Sequence, residues 1–304
     1  MNDSDARVNE IQTILHCVWY DIPRVVSPIA TTPMSSKWVR LPASTGHLKE
    51  ESRGKQVTQR EIDLAIETVV RGYGFQRSFT HPYLFEKVDG LWRMYDEPRK
   101  KGGERREEFI SHRMDPTDVH AVARKHARGH YCLCPIHGPD DDADLIRDTY
   151  KDLGYRLNHT EFFMIHSLSR IPRVVSPVTL KRVTTMEMAE RLAKTAARRQ
   201  ILPEHVDAED PPMRVYVALV KDDIVGWVNS VVADKATYCG GMYVQPECRR
   251  QGIARALLAK MLRDDRKGGA RQASLLASHA GAKLYPVVGY SEVGTMMVLT
   301  PKKK

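Results

Sequence analysis

No apolar run in this 304-residue chain lasts long enough to cross a bilayer. The longest, such as Ile224 to Val228, stop after a few residues, against the roughly 18 or more that a spanning helix takes. The start, Met1-Asn2-Asp3-Ser4-Asp5, lacks the basic-then-apolar pattern of a secretory signal. Aromatic residues make up only 7% of the chain, which leaves little for stacking on bases, and there is no zinc-finger or recognition-helix signature. The cysteines, at positions 17, 132, 134, 239 and 248, are odd in number. They build no even disulfide framework and suit a reducing compartment. Together these absences lead us to expect a cytoplasmic protein without a membrane partner, and they argue against a nucleic-acid one.

What is present is ordinary for a globular protein: 42% hydrophobic and 28% charged residues. The length suits two domains, each able to bury a core. The net charge of +9 fits either nucleic acid or an anionic small ligand such as a phosphorylated cofactor. Lys302-Lys303-Lys304 reads as a solvated tail.

The chain also repeats itself. Ile-Pro-Arg-Val-Val-Ser-Pro occurs at Ile22 to Pro28 and again at Ile171 to Pro177. Met94-Tyr95-Asp96-Glu97-Pro98 parallels Met242-Tyr243-Val244-Gln245-Pro246, and Tyr150…Gly154-Tyr155 parallels Tyr285…Gly289-Tyr290. Three markers in one order predict two tandem units of one fold, 1–169 and 170–304.

In the second unit the pattern predicts a mixed α/β (α+β) fold with helices on both faces of the sheet. Strands are expected at Val178 to Val183, Val215 to Val220, Ile224 to Val232, Gly241 to Val244, Ser274 to Ala277 and Val293 to Leu299. Helices are expected at Met186 to Gln200, Gly252 to Arg266 and Gly281 to Val287, with Glu204 to Pro212 an acidic loop. Lys221-Asp222-Asp223 reads as a hairpin turn.

The chemistry concentrates where a strand ends at Val244 and Pro246 forces a turn. A helix then starts at Gly252, and helix-start N–H groups are unpaired and bind phosphate. Gly252 and Ala254 let backbone approach closely, while Arg249, Arg250 and Arg255 surround the anion with charge. The run Arg249-Arg250-Gln251-Gly252-Ile253-Ala254, followed by Leu284-Tyr285-Pro286-Val287-Val288-Gly289-Tyr290, resembles the GNAT superfamily of acetyl-CoA-dependent N-acetyltransferases. The resemblance spans about 85 residues, with Tyr290 standing where the family carries Phe. It implies two tandem GNAT-like mixed-sheet units, and acetyl-CoA held by Met242, Tyr243, Val244, Arg249, Arg250, Gln251, Gly252, Ile253, Ala254 and Arg255.

It further implies acetyl transfer to a primary amine by direct attack in a ternary complex, a small-molecule acceptor being favoured, with strand N–H groups near Met242 to Val244 holding the oxyanion. Tyr285 becomes the candidate general acid for the leaving thiolate, with core packing as the other reading. The base is not legible. Glu209, Asp210, Asp234 and Glu247 are candidates, each also readable as a solvated loop residue, and Tyr238 and Cys239 are candidates to border the acceptor.

In the first unit, Arg99 to Arg106 is basic and glycine-rich but lacks the Arg-x-x-Gly-x-Ala spacing, and Glu107 and Glu108 would repel phosphate. That unit reads as a degenerate copy, as in tandem GNAT proteins with one working half. His126, His130, Cys132, Cys134 and His137 could suggest zinc, but alternation along a strand separates the sulfurs from the histidines, so no metal is expected. Asp140, Asp141, Asp142 and Asp144 read as loop and helix start. A non-catalytic acyl-CoA sensor and an RNA-associated acetyltransferase are the alternatives to a small-molecule enzyme.

Overall fold

Short β-rich runs alternating with amphipathic stretches dictate a mixed α/β chain. The computed structural model, which describes residues 57–302, shows eleven strands and five α-helices among them. In order these are α1 (Gln59–Arg77), β1 (Tyr83–Val88), β2 (Leu91–Asp96), β3 (Glu107–His112), α2 (Pro116–His126), β4 (Tyr131–His137), α3 (Ala143–Asp152) and β5 (Tyr155–His166). Then follow β6 (Thr179–Arg182), α4 (Met186–Thr195), β7 (Met213–Val220), β8 (Asp223–Ala233), β9 (Ala236–Val244), α5 (Ile253–Lys267), β10 (Gln272–Ala277) and β11 (Ser291–Pro301). Cys17 and the first heptapeptide copy lie outside the described residues.

All eleven strands form one sheet in the order β1-β2-β3-β4-β11-β5-β10-β9-β8-β7-β6. From either side toward the centre the pattern is the same. An antiparallel run, β1-β2-β3 or β7-β8-β9, leads into a parallel pair, β3/β4 or β9/β10, joined by a crossover helix, α2 or α5. Each parallel pair is then closed by a strand from the other half of the chain: β11 lies beside β4, and β5 beside β10. The two exchanged strands pair with each other, Glu161 facing Met296, at the same offset that separates Tyr155 from Tyr290. A pseudo-twofold axis therefore passes between Glu161 and Met296.

Alternation along the strands sends side chains to two apolar layers. On one face α1 and α4 cover Met94, Cys134, Phe163, Val217 and Tyr238. On the other, α5 packs Leu257 and Met261 over Val228 and Leu275, while α2 and α3 bring Val119 and Tyr150 onto Phe109, Leu133 and Leu299. Helix α1 bridges the halves, touching β1 and β2 as well as β8, β9 and β10. Its Gly72 lies so close to β9 that an added Cβ would meet Tyr238 Cβ at 2.2 Å. Buried charges are paired: Arg93 with Glu107 at 2.7 Å, and Asp265 with Arg214 at 3.0 Å. Ser230 and Thr237 also donate to Asp265, yet burial pushes its carboxyl up to about 6.

Several expectations need correction. The helix at 186–200 ends at Thr195, because Ala197 turns left-handed at φ 53°, and Arg198 and Arg199 lie beyond it. The strand expected from Gly241 begins at Ala236. Residues 281–287 form turns and a short 3-10 segment (Pro286–Val288) rather than a helix; Pro286 offers no N–H, and Gly289 reverses the chain at φ 101°. The Met94 marker also misplaces the first unit's cradle. β2 is followed by the antiparallel β3, so the counterpart of β9 is β3, and Arg99 to Arg106 is only the β2–β3 connection, with Arg99 and Arg105 clamping Asp96.

Candidate active site

Glycine inside a strand weakens the ladder and marks bulges. At Gly240-Gly241 the β8–β9 register slips, with Gly241 left-handed at φ 61°. Asn229 fills the space a side chain would need there, and Gln76 of α1 donates to its Oδ1. Past the bulge β9 leaves β10. Their parallel pairing spans only Gln272↔Ala236 to Ser274↔Tyr238, so the edge from Cys239 to Val244 has no strand beside it. Met242, Tyr243 and Val244 thus border a wedge-shaped cleft, with Tyr243 stacked on Trp227 at 4.5 Å between ring centroids.

At the end of this strand Pro246–Cys248 forms a 3-10 turn, and Arg249 Nε donates back to the Val244 carbonyl at 2.9 Å. Arg250, Gln251 and Gly252 follow, exposed, with Arg250 and Gly252 at φ 66° and 84°. Gly252 is the N-cap of α5, and a Cβ added there would meet nothing within 4 Å. The other four α-helices among the described residues are capped by side chains of Thr58, Asp115, Asp142 and Thr185, with an acid in each first turn. Helix α5 has neither. Its first turn, Ile253-Ala254-Arg255, therefore presents N–H groups and a partial positive charge for an anion, with Arg250 and Arg255 exposed beside it. The cradle residues read from the sequence come together at one end of the cleft.

Tyr285 lies on the α5 face in the core, its ring 5.7 Å from Tyr290. The turn that follows is tied to β5. His166 Nδ1 accepts from Leu168 N at 2.8 Å, so Nε2 carries the proton and donates to the Val288 carbonyl at 3.0 Å. Burial lowers the pKa of this ring, which favours the neutral form that bond needs.

The first half differs at each point. β3 and β4 pair from Glu107↔Tyr131 to His112↔Ile136, so no cleft opens between them. Asp115 fills the start of α2 by accepting from Thr117 N at 2.8 Å, and Asp118 adds a second acid. Glu107 and Glu108 lie in the sheet, paired with Arg93 and Arg77. The space left around Ser111, Ile146 and Tyr150 is a pocket of about 50 Å³. A larger cavity of about 280 Å³, near Asp63, Trp92 and His112, is lined by none of the cleft residues.

The acceptor-side candidates separate. Glu209 and Asp210 are exposed loop carboxylates, and Glu247 is exposed in the 3-10 turn. Asp234 sits in the β8–β9 turn, at the far end of β9 from the cleft. Cys239 is buried on the α5 face, where burial raises its thiol pKa well above the usual range. Tyr238 is buried on the opposite face beneath Gly72. Cys132 and Cys134 stack on one side of β4, sulfurs 3.9 Å apart, and His126 pairs with Asp89. No group of three or more His, Cys, Asp or Glu among the described residues is placed to hold a metal. Asp142 caps α3, and Asp141 accepts from Gly138 N. No helix among the described residues is long and apolar enough to cross a membrane.

One carboxylate escaped the sequence reading: Glu161, on β5 amid Phe162, Phe163 and Met164. The only signal was an acid directly before the apolar run Phe162-Phe163-Met164-Ile165.

A family model described as an acetyltransferase (GNAT) domain matches residues 211–292. The chain carries a GNAT domain. The matched residues run from just before β7 into the first residues of β11 and contain the whole cleft. Among solved structures, a GCN5-related N-acetyltransferase from Kribbella flavida is 16% identical, with a TM-score of 0.55 over 78% of this chain and 96% of its own. A GCN5-related N-acetyltransferase from Sphaerobacter thermophilus is 17% identical, with a TM-score of 0.48 over 71% of this chain and 78% of its own. No curated protein matches. The GNAT assignment rests on the matched domain, and the likeness to the Kribbella structure extends the shared fold over most of the chain.

Proposed function

We propose that this chain transfers an acetyl group from acetyl-CoA to a primary amine of a small molecule, by direct attack with both bound. The carrying observation is the start of α5, unfilled by any side chain and opened by Gly252, at the end of a strand that has parted from its neighbour. The free N–H groups of Ile253 to Arg255 suit a pyrophosphate, Arg249, Arg250, Gln251 and Arg255 surround it, and the edge of β9 suits the extended arm. N–H groups near Met242 to Val244 face the developing charge on the thioester oxygen. The amine nitrogen bonds to the carbonyl carbon, the C–S bond breaks, and Tyr285 returns a proton to the thiolate sulfur.

The repeat reading, units 1–169 and 170–304, is part of this proposal. The zipped β3–β4 pair and the self-capped α2 support a first unit that binds no cofactor. Calorimetry should therefore give one CoA per chain. Gly252→Val should abolish that binding with the far-ultraviolet circular dichroism unchanged, since a branched side chain resists φ near 84° and fills the open approach. Two equivalent sites, or wild-type affinity in the folded variant, would refute the assignment.

A further inference from the structure

The sequence left the amine without a base, and the structure offers one from the other half of the chain. Glu161 lies on β5, the strand that the first half inserts beside β10. Its neighbour Phe162 pairs with Ala277, the last residue of β10. Counting on one residue in the β5–β10 and β10–β9 registers brings Glu161 level with Met242, where the cleft is open. One strand spacing, about 4.8 Å, separates β5 from the line of β10. Glu161 shares its strand face with Phe163 and Ile165, the face covered by α1. Its side chain is 23% exposed, in contrast to Glu108, which burial and the Arg77 ion pair at 3.0 Å hold in place.

The groups around it come from several elements. Tyr73 and Arg77 of α1, Glu108 of β3, Cys134 of β4 and Tyr238 of β9 all lie within one electrostatic cluster with Glu161. His159, on the same strand face, approaches it at 3.5 Å. Arg77 is engaged by Glu108 and by the phenols of Tyr73 and Tyr83, so its charge is spent within the cluster. That leaves Glu161, with His159 beside it, as a partly exposed carboxylate on the α1 face, level with the part of β9 that no longer pairs with β10. The pseudo-twofold mate of Glu161 is Met296, so only one of the two halves carries an acid at this position.

We infer that Glu161 is the catalytic base, and that the acceptor is a cationic primary amine entering from the α1 face. This rests on the acetyl-transfer reading above. The carboxylate first pairs with the ammonium and then takes one proton from it. The freed lone pair attacks the thioester carbonyl carbon, the C–S bond breaks and the thiolate takes the Tyr285 proton on the other face, while the nitrogen gives its second proton to water, from which the phenol regains its own. The chain thus draws its cofactor cradle from the second half and its acceptor chemistry from the first.

A thiol placed at this position would stand beside the thioester, which gives a test that needs no known acceptor. Full-length Glu161→Cys protein, incubated with acetyl-CoA, should gain the mass of one acetyl group on the introduced thiol by thioester exchange, releasing CoA. Met296→Cys, one strand farther away, should not. Peptide mapping excludes the native cysteines. With whichever primary amine wild-type protein acetylates fastest, Glu161→Gln should lower kcat by roughly 10²-fold with CoA affinity unchanged. If calorimetry shows CoA bound while the introduced thiol stays free, or if Glu161→Gln turns over like wild type, the base assignment falls and acetyl transfer stands. If wild-type protein binds no CoA, both fall.

Discussion

Two tyrosines at matching positions bear different loads. Tyr285 borders the second-half core on the α5 side, while Tyr150 is fully buried between α3 and the sheet. If Tyr285 protonates the thiolate, Tyr285→Phe keeps the ring and removes only the donor. Steady-state kinetics should then show kcat down by roughly 10²-fold with CoA affinity little changed. Tyr150→Phe should leave turnover alone, and equal losses in the two variants would contradict both roles. The proposed cradle can be read residue by residue from the sequence, because phosphate binding needs backbone freedom and charge at fixed spacing, and Arg249 to Ala254 carry both. Glu161 was not legible. Its chemistry depends on which strand lies beside β10, and that neighbour comes from more than a hundred residues earlier in the chain.

Among the elements, α1 couples the two halves most directly. Its side chains Tyr73, Gln76 and Arg77 reach the β9 bulge and the Glu161 cluster, and Gly72 sets how closely it can lie. An Ala for Gly in a helix normally stabilises by up to about 1 kcal/mol. Here the new methyl would collide with Tyr238, an overpacking cost of about 1–3 kcal/mol that outweighs the gain. Gly72→Ala should therefore lower Tm, by about 2–4 °C per kcal/mol lost, where an exposed helical glycine would raise it. A higher Tm in differential scanning calorimetry would mean the helix can slide without cost. Most strands of the second half and α5 lie where their apolar periodicity puts them, while β9 starts five residues earlier than expected. The segment 281–287 did not, because its apolar spacing suits a helix while Pro286 and Gly289 forbid one.

At the scale of the molecule, neither half has a complete sheet of its own among the described residues. β10 is closed by β5 and β4 by β11, so residues 170–304 expressed alone would present an unpaired, apolar sheet edge. That fragment should be insoluble or associated by size-exclusion chromatography, and co-expression with residues 1–169 should restore a folded, CoA-binding complex. A monomeric fragment with native circular dichroism would show that the exchange is dispensable. In the sequence, the repeat reading rests partly on Tyr150–Tyr155 and Tyr285–Tyr290, which stand at the entry to the two exchanged strands. The exchange itself was not, since a strand's pattern records which face is buried and not whose sheet it joins.

On the repeat reading proposed above, the strand exchange would make the chain a twofold dimer written as a single polypeptide. In a true dimer of identical copies, any substitution that closed one cleft would close both, and any acid placed on the axis would meet its own image at close range. Glu161 facing a second glutamate would be a like-charge pair, costly unless one of them kept its proton. Joining the copies removes that constraint: methionine can stand opposite glutamate, one cleft can be sewn shut, and the closed half is free to serve the open one.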